Sequence, residues 1–274
     1  MFNPQGTSTR TGGSDAATDA AARVENGEGR GQIVIACDHA SNHVPARFRD
    51  LGLAPADLLR HIAWDPGALG VSRSLARRLD APLVLSCVSR LVLDCNREPG
   101  VFDSIPAASE DTPIPGNAGL TEADRAWRAR EVYEPFHAAL TAIVAARSAV
   151  GPVAVVSVHS FTPVYRGTPR PWHVGILFDR DRRLSQPILQ ALRRETGLVV
   201  GENQPYSPDD RVYHTLDRHA QSRGLPSVMV EIRNDLVATP EAEEAWGERL
   251  ADVIADALPG ALEQGPGQPA DRAR

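Results

Sequence analysis

Four side chains suited to acid–base or metal chemistry lie at the ends of apolar, strand-like runs that are far apart in the sequence. They are His39, Asp65, His159 and Glu231. The clearest case is His39, which follows the β-branched run 33–37 and lies in the polar turn DHASNH. Because the carboxyl ends of strands in an open α/β sheet are where sites form, we expect the four side chains to meet.

These residue types are suited to a hydrolytic metal site. Two neutral imidazoles and one carboxylate form a ligand set for catalytic zinc, with one position left for water. Bound zinc lowers the pKa of that water to about 7 and polarises a substrate carbonyl. A further carboxylate must then accept the proton of the water. Glu231 is the candidate, because an ionised Glu inside the run SVMVEI is costly to bury unless a cation or proton compensates it.

Other interpretations of the same residues remain open. A single histidine is often a satisfied polar residue, and Asp65 before Pro66 also has the pattern of a helix N-cap with proline at the first helical position. A nucleophile at Cys37 or Ser41 beside His39 is an alternative. Cys37 would be a poor thiolate, because an apolar strand raises the pKa of a thiol.

A second polar stretch follows the strand-like run 82–88. In SRLVLDCNR, hydrogen-bonding side chains surround an apolar run, which indicates either ligand contact or a buried ion-pair network. Guanidinium groups suit a substrate carboxylate, since they present planar, paired donors. The predicted substrate-binding residues are Arg90, Asn96, Arg97, Arg218 and His219.

The alternation of strands and helices predicts a single α/β domain with a mostly parallel or mixed central sheet and helices on both faces. Strands are predicted at 33–37, 82–88, 153–158, 172–178, 199–201 and 227–232. Helices are predicted at 68–79, 121–149, 180–196 and 240–258, with Thr121 and Thr239 as N-caps. The catalytic domain is predicted at 32–262, between disordered tails at 1–31 and 263–274.

Composition excludes several classes of function. The net charge of −6 without a basic stripe argues against nucleic-acid binding. No apolar run is long enough for a membrane span, and the N-terminus lacks the apolar core of a signal peptide. Three scattered cysteines form no disulfide framework. We therefore expect a soluble cytoplasmic protein, with its oligomeric state left open.

The chain also resembles the N-formylglutamate amidohydrolases. The resemblance rests on CDHASNHVP, HIAWDPGA, SRLVLDCNR, DSIP, IPGN, VHSFTPV, HVGILFDRD, NQPYS, RHA and EIRND, which together span about 33–258. It implies a hydrolase fold related to the zinc carboxypeptidases and hydrolysis of an N-acyl amino acid. The type reaction converts N-formyl-L-glutamate to formate and L-glutamate, the closing step of one route of histidine degradation.

The resemblance also implies roles for particular residues. His39 and His159 match the family's candidate metal histidines, and Glu231 lies where the carboxypeptidase relatives place their general base. Those relatives use a His-x-x-Glu pair, whereas Asn42 stands three residues after His39 here. We therefore assign the carboxylate ligand of zinc to Asp65.

The alternative carboxylate ligand is Asp38, at a position where family members commonly have Glu. Two rival functions follow from the missing His-x-x-Glu pair and from the breadth of the family. One is a small-ligand binding protein that kept the fold and lost the metal. The other is a metallohydrolase of a different amide or peptide.

Overall fold

Eleven strands are present within residues 20–264, the part of the chain that the computed structural model describes. They are β1 (Ala22–Glu25), β2 (Ile33–Cys37), β3 (Leu83–Ser86), β4 (Ala108–Ser109), β5 (Thr112–Pro113), β6 (Ala154–Phe161), β7 (Val164–Tyr165), β8 (Thr168–Pro169), β9 (Val174–Leu177), β10 (Val200–Glu202) and β11 (Ser227–Arg233). Seven of them form one sheet in the order β1-β3-β2-β6-β11-β9-β10. The pairs β4-β5 and β7-β8 are separate two-stranded hairpins.

The central sheet is mixed, as predicted. Strands β3, β2, β6 and β11 run parallel to one another, and so do β9 and β10. The edge strand β1 is antiparallel to β3, and β9 is antiparallel to β11. The parallel strands β2, β3 and β6 are buried along their whole length, which explains their continuous apolar sequences.

Seven α-helices flank this sheet in the described part of the chain. They are α1 (Pro55–Leu58), α2 (Ala68–Arg78), α3 (Glu122–Arg128), α4 (Glu134–Val150), α5 (Ser185–Arg193), α6 (His214–His219) and α7 (Pro240–Glu263). Helices α2, α5 and α7 pack on one face of the sheet, and α4 and α6 pack on the other. Alternate residues of β2 enter the two cores, because successive side chains of a strand point to opposite faces.

The predicted helix starts are confirmed. Thr121 caps α3 through a reciprocal capping box with Asp124, and the Thr239 side chain accepts a hydrogen bond from the backbone N–H of Ala242 in α7. The predicted helix 121–149 contains a π-helical turn at Ala129–Tyr133 between α3 and α4.

The expectation of a disordered tail through residue 31 is wrong for its last part. Strand β1 pairs with β3 over the four residues Ala22–Glu25, and the Arg73 guanidinium pairs with Glu25 at 2.7 Å. The sequence ARVE of this edge strand contains a single large apolar side chain, so it has little hydrophobic signal. The rest of the predicted tails, at 1–19 and 265–274, lies outside the described residues. The boundaries 32–262 for a catalytic domain stay a prediction.

The carboxyl ends of β2, β6 and β11 lie side by side and form the base of the functional region. Residue Glu231 of β11 is in register with His159 of β6, and β6 in turn pairs with β2. None of the helices within 20–264 has the length and apolar character needed to cross a lipid bilayer.

Candidate active site

Three of the predicted metal ligands meet at the carboxyl edge of the sheet. His39 follows β2, His159 lies in β6, and Asp65 comes from the loop before α2. One ligand atom from each lies within 4.8 Å of the other two. All three side chains are buried, with exposed fractions of 4 %, 2 % and 1 % respectively. Sequence positions up to 120 residues apart thus form one compact polar cluster.

The carboxylate of Asp65 is the centre of the cluster. Its Oδ2 atom lies 2.8 Å from Nδ1 of His159 and 3.3 Å from Nδ1 of His39. The N-cap interpretation of Asp65 is wrong, because α2 begins at Ala68 with Gly67 as its N-cap and without a side-chain cap. Gly67 has a φ of +81°, a left-handed conformation that favours glycine. The Asp65 side chain is therefore available to the imidazoles.

Each imidazole also contacts a second carboxylate through its other nitrogen. Nε2 of His39 lies 2.7 Å from Oδ1 of Asp94, and Nε2 of His159 lies 3.5 Å from Oδ2 of Asp38 and 2.9 Å from Oγ of Ser157. Both Nδ1 atoms therefore face Asp65, while both Nε2 atoms face carboxylates behind them. This arrangement orients the two rings toward a common point.

These contacts determine the charge state of the cluster. Burial lowers the pKa of an imidazole, but the hydrogen bonds of His159 with Asp38 and Asp65 outweigh burial and raise its pKa well above the usual range. Against burial, the Asp94 charge likewise raises the pKa of His39, although Arg90 opposes it. Without a metal ion, the cluster therefore favours imidazolium groups between carboxylates.

Glu231 lies beside the cluster with an uncommitted oxygen. Its side chain is 4 % exposed, and its Oε2 atom has no hydrogen-bond partner within the described residues. Burial raises its pKa to about 7; His159 acts in the opposite direction and Asp65 in the same direction. A carboxyl group that titrates near neutral pH and has a free oxygen can accept or donate a proton.

Arg90 lines the cavity and supports the cluster. Its guanidinium pairs with Oδ1 of Asp65 at 2.9 Å and donates to the backbone carbonyls of Trp64 at 3.1 Å, Ile62 at 3.3 Å and His61. Since most of its donors are used by the protein, it holds Asp65 rather than presenting an open fork to a substrate. The polar stretch SRLVLDCNR is, at this residue, a buried ion-pair network.

The Asn96 side chain likewise forms its hydrogen bonds within the protein, whereas the Arg97 guanidinium has N–H donors that no described residue uses. Asn96 donates to the carbonyl of Val212 at 2.5 Å and accepts from the N–H of Thr215 at 3.0 Å, which joins two loops. Arg97 donates through Nε and Nη1 to Asp103 and to backbone carbonyls, while its Nη2 atom has no hydrogen bond within the described residues. Both residues line the cavity of the cluster.

Arg218 and His219 do not join this site. The Arg218 side chain is exposed, with its guanidinium 5.7 Å from the Tyr133 ring centre. His219 is fully buried and its Nε2 atom lies 2.7 Å from Nδ1 of His137, against which its ring stacks. Both residues are on the short helix α6, where His219 is buried and Arg218 is exposed. Neither residue lines the cavity of the cluster, and their role in substrate binding stays a prediction.

The cavity above the cluster has a small inner part and a larger outer part. The inner part has a volume of about 120 Å³ and reaches the metal-ligand candidates and Glu231. The outer part has a volume of about 410 Å³ and is bounded by the long loop 98–119 and by the β7-β8 hairpin. The residues that line both parts are His61, Arg90, Asp94, Arg97 and Tyr206.

Sequence reasoning did not assign a role to His61, Asp94 or Tyr206. His61 lies within HIAWD, four residues before Asp65, and burial together with Arg90 lowers its pKa to about 3. Tyr206 is in a loop between β10 and α6, and burial raises its pKa to about 12. Their short motifs contain polar residues among apolar ones, but only the fold shows which of these side chains face the cavity.

The structure also shows the surroundings of the residues that were alternatives for the metal ligand and the nucleophile. Asn42, which stands where the carboxypeptidase pattern has an acid, donates to the carbonyl of Leu58 at 2.9 Å and has a local structural role. Cys37 is fully buried, and burial raises the pKa of its thiol strongly, which argues against a thiolate nucleophile. Asp38 is buried, and its Oδ2 atom lies 3.5 Å from Nε2 of His159. It lies behind His159 instead of facing the cavity.

The fold and the buried cluster place the protein among α/β enzymes that carry their polar centre at the carboxyl edge of the sheet. The family model of the N-formylglutamate amidohydrolases matches residues 31–238. The chain belongs to this family of hydrolases, which act on C–N bonds of linear amides.

Two solved structures are similar to the whole described chain. A gene product of Agrobacterium tumefaciens is 44% identical, with a TM-score of 0.86, and the match covers 89% of this chain and 97% of that one. An N-formylglutamate amidohydrolase from Ralstonia eutropha is 22% identical, with a TM-score of 0.65, covering 88% and 98% of the two chains. The second likeness supports the fold. The comparison with curated proteins found no match.

Proposed function

We propose that this protein is a metal-dependent amidohydrolase that cleaves an N-acyl amino acid, with N-formyl-L-glutamate as the first substrate to test. The observation that carries the proposal is the buried cluster of His39, Asp65 and His159 beside Glu231. Family membership supports the reaction class. A cytoplasmic location and a role in histidine degradation stay predictions.

The donor set fits a divalent cation. Two imidazole nitrogens and a carboxylate oxygen converge from separate elements, and all three side chains are buried. His39, Asp65 and His159 would hold the ion, and zinc is the metal that such a set favours. When bound, such an ion polarises the acyl carbonyl and lowers the pKa of water.

Glu231 acts as the proton carrier in this proposal. Its free Oε2 accepts the proton of the attacking water and then donates it to the departing amide nitrogen, so that the carboxyl group returns to its starting state. Its pKa near 7 suits both directions of transfer. Removal of a general base of this kind typically slows a reaction by roughly 10²- to 10⁴-fold.

Arg97 is the guanidinium of the predicted set that is best placed to contact the substrate. It lines both parts of the cavity and keeps its Nη2 donors. Arg90 and Asn96 have positioning roles instead, since the first holds Asp65 and the second joins two loops. The proposed roles of these residues do not depend on the oligomeric state of the protein.

The test combines metal analysis with product release. Purified protein is assayed for bound metal and for formate release from N-formyl-L-glutamate, before and after chelation and after zinc is added back. We expect about one metal ion per chain and release that is lost on chelation and restored by zinc. The variant Glu231→Gln should keep the metal and lose turnover.

The other outcomes separate the rival functions. Metal binding without formate release, but with cleavage of another acylated amino acid or peptide, would keep the chemistry and replace the substrate. Absence of metal binding even after zinc addition would refute the catalytic proposal and favour a small-ligand binding protein. Full activity in Glu231→Gln would refute the role of this carboxylate.

A further inference from the structure

A guanidinium outside the predicted set lies beside the cavity without an acidic partner. Arg170 follows the β7-β8 hairpin and is 9 % exposed. Its guanidinium carbon lies 4.7 Å from the ring centres of Tyr165 and Tyr206 and 5.7 Å from that of Phe161. Three aromatic rings therefore surround a nearly buried cation.

The hydrogen bonds of this guanidinium are few and neutral. Nη1 donates to the hydroxyl of Tyr206 at 3.0 Å and more weakly to Oγ1 of Thr162 at 3.4 Å. Across residues 20–264, Arg170 forms no ion pair with a carboxylate, and its Nε and Nη2 atoms form no hydrogen bond. A guanidinium has five N–H donors, so three remain for a ligand or water.

Another buried arginine shows how this chain satisfies such a group where no ligand is needed. Arg128, which is 4 % exposed, donates to the carbonyls of Val92 and Gly116 and to the side-chain oxygen of Asn117, at 2.7 to 3.0 Å. These are strong acceptors on both terminal nitrogens. Arg170 has only hydroxyl acceptors on one nitrogen, which leaves its charge largely uncompensated.

The position of Arg170 links it to the catalytic cavity. Tyr206, which accepts its hydrogen bond, lines the inner part of the cavity together with Glu231, and Tyr165 lines the outer part. The cation is therefore within electrostatic reach of a molecule bound there.

We propose that Arg170 binds a carboxylate of the substrate and thereby gives the enzyme its preference for acidic N-acyl amino acids. A carboxylate supplies the missing counter-charge and can accept two parallel hydrogen bonds from Nε and Nη2. Tyr206 holds the guanidinium in place through Nη1. This inference deepens the proposed function and rests on it for the identity of the reaction.

The α-carboxylate and the side-chain carboxylate of N-formyl-L-glutamate offer the same chemistry to Arg170. The experiment therefore compares three substrates: N-formyl-L-glutamate, N-formyl-L-glutamine, and the α-amide of N-formyl-L-glutamate. In Arg170→Gln, we expect KM for the first substrate to rise about 10- to 100-fold with little change in kcat. The variant should lose discrimination against only one of the two amides, which identifies the carboxylate that is bound.

Two further variants separate binding from structural support. Arg170→Lys keeps the charge but not the paired donors, so an intermediate KM is expected. Arg182→Gln is the matched control, since this exposed arginine also lies over an aromatic ring, 4.9 Å from the centre of Phe178. It should leave all three substrates unaffected.

A measurement of equilibrium binding tests the role of Arg170 independently of whether the proposed reaction occurs. Calorimetric titration with L-glutamate, which has no acyl group to cleave, on wild-type protein and on Arg170→Gln reports carboxylate binding whether or not any substrate is cleaved. Unchanged affinity and KM in Arg170→Gln would overturn the inference while the amidohydrolase proposal stands. An equal loss for all three substrates would also overturn it, because that result indicates a structural role.

Discussion

Replacing Asp94 with asparagine should weaken metal binding without removing a metal ligand. Asp94 contacts Nε2 of His39 at 2.7 Å, and both side chains are buried, with exposed fractions of 8 % and 4 %. The carboxylate fixes the proton on Nε2, so Nδ1 is the nitrogen able to bind a cation; it faces Asp65 and lies 3.2 Å from Nη1 of Arg90. Asparagine has nearly the same shape but lacks the charge.

The size of the effect follows from the type of contact. A short hydrogen bond to a charged group contributes about 1.5–3 kcal/mol, and loss of such a partner behind a metal-binding histidine typically costs about 10- to 100-fold in affinity. The variant Asp38→Asn should cost less. Its carboxylate is 3.5 Å from His159, and the same nitrogen has Ser157 at 2.9 Å as a second partner.

The assay is zinc affinity by competition with a chromogenic chelator, together with thermal unfolding of the metal-free protein. The matched control is Asp181→Asn, which removes a largely buried carboxylate paired with Arg183 away from the cavity. The reasoning would be refuted by wild-type zinc affinity in Asp94→Asn, or by an equal loss in Asp181→Asn. A loss confined to the stability of the metal-free protein would show that Asp94 only supports the fold.

Three other measurements test the protonation of the metal-ligand histidines, the burial of His137 and the packing of the loop that carries Tyr206. Because the pKa values of His39 and His159 are raised, zinc binding near pH 7 should release roughly one to two protons, which calorimetry in buffers of different ionisation enthalpy would detect. Burial lowers the pKa of His137 from 6.5 to about 4, so the unfolded chain takes up a proton that the folded chain does not, and this group should lower stability by about 2 kcal/mol between pH 7 and pH 5. Burial also lowers the pKa of His61 and of His219 to about 3, so these groups act in the same direction. Urea unfolding of wild type and His137→Gln at both pH values should therefore show a loss of stability that is smaller in the variant by about 2 kcal/mol. Gly175→Ala places a Cβ atom 1.9 Å from the carbonyl oxygen of Gln204, so the loop that carries Tyr206 must move, and kcat/KM should fall by more than thermal stability alone explains.

Much of the fold could be predicted from the sequence because its signals are local. The six predicted strands are all present in the sheet, since strands buried on both faces require continuous apolar runs. Thr121 and Thr239 begin helices because their hydroxyl groups satisfy backbone N–H groups one turn later. The edge strand β1 had no such signal, since its pairing with β3 depends on a partner 60 residues away.

For the site too, one part could be predicted from the sequence and another part could not. The sequence determined which residue types follow the strands, and the rule that strand ends converge was enough to predict the meeting of His39, Asp65 and His159. Only the tertiary structure decided which polar side chains form hydrogen bonds or ion pairs with one another. It directs Arg90 to Asp65, buries His219 against His137, and leaves Arg170 without a carboxylate. The physical reason is that hydrogen bonds and ion pairs depend on distances of a few ångströms between segments far apart in the chain, whereas residue type alone states only what a side chain is able to bind.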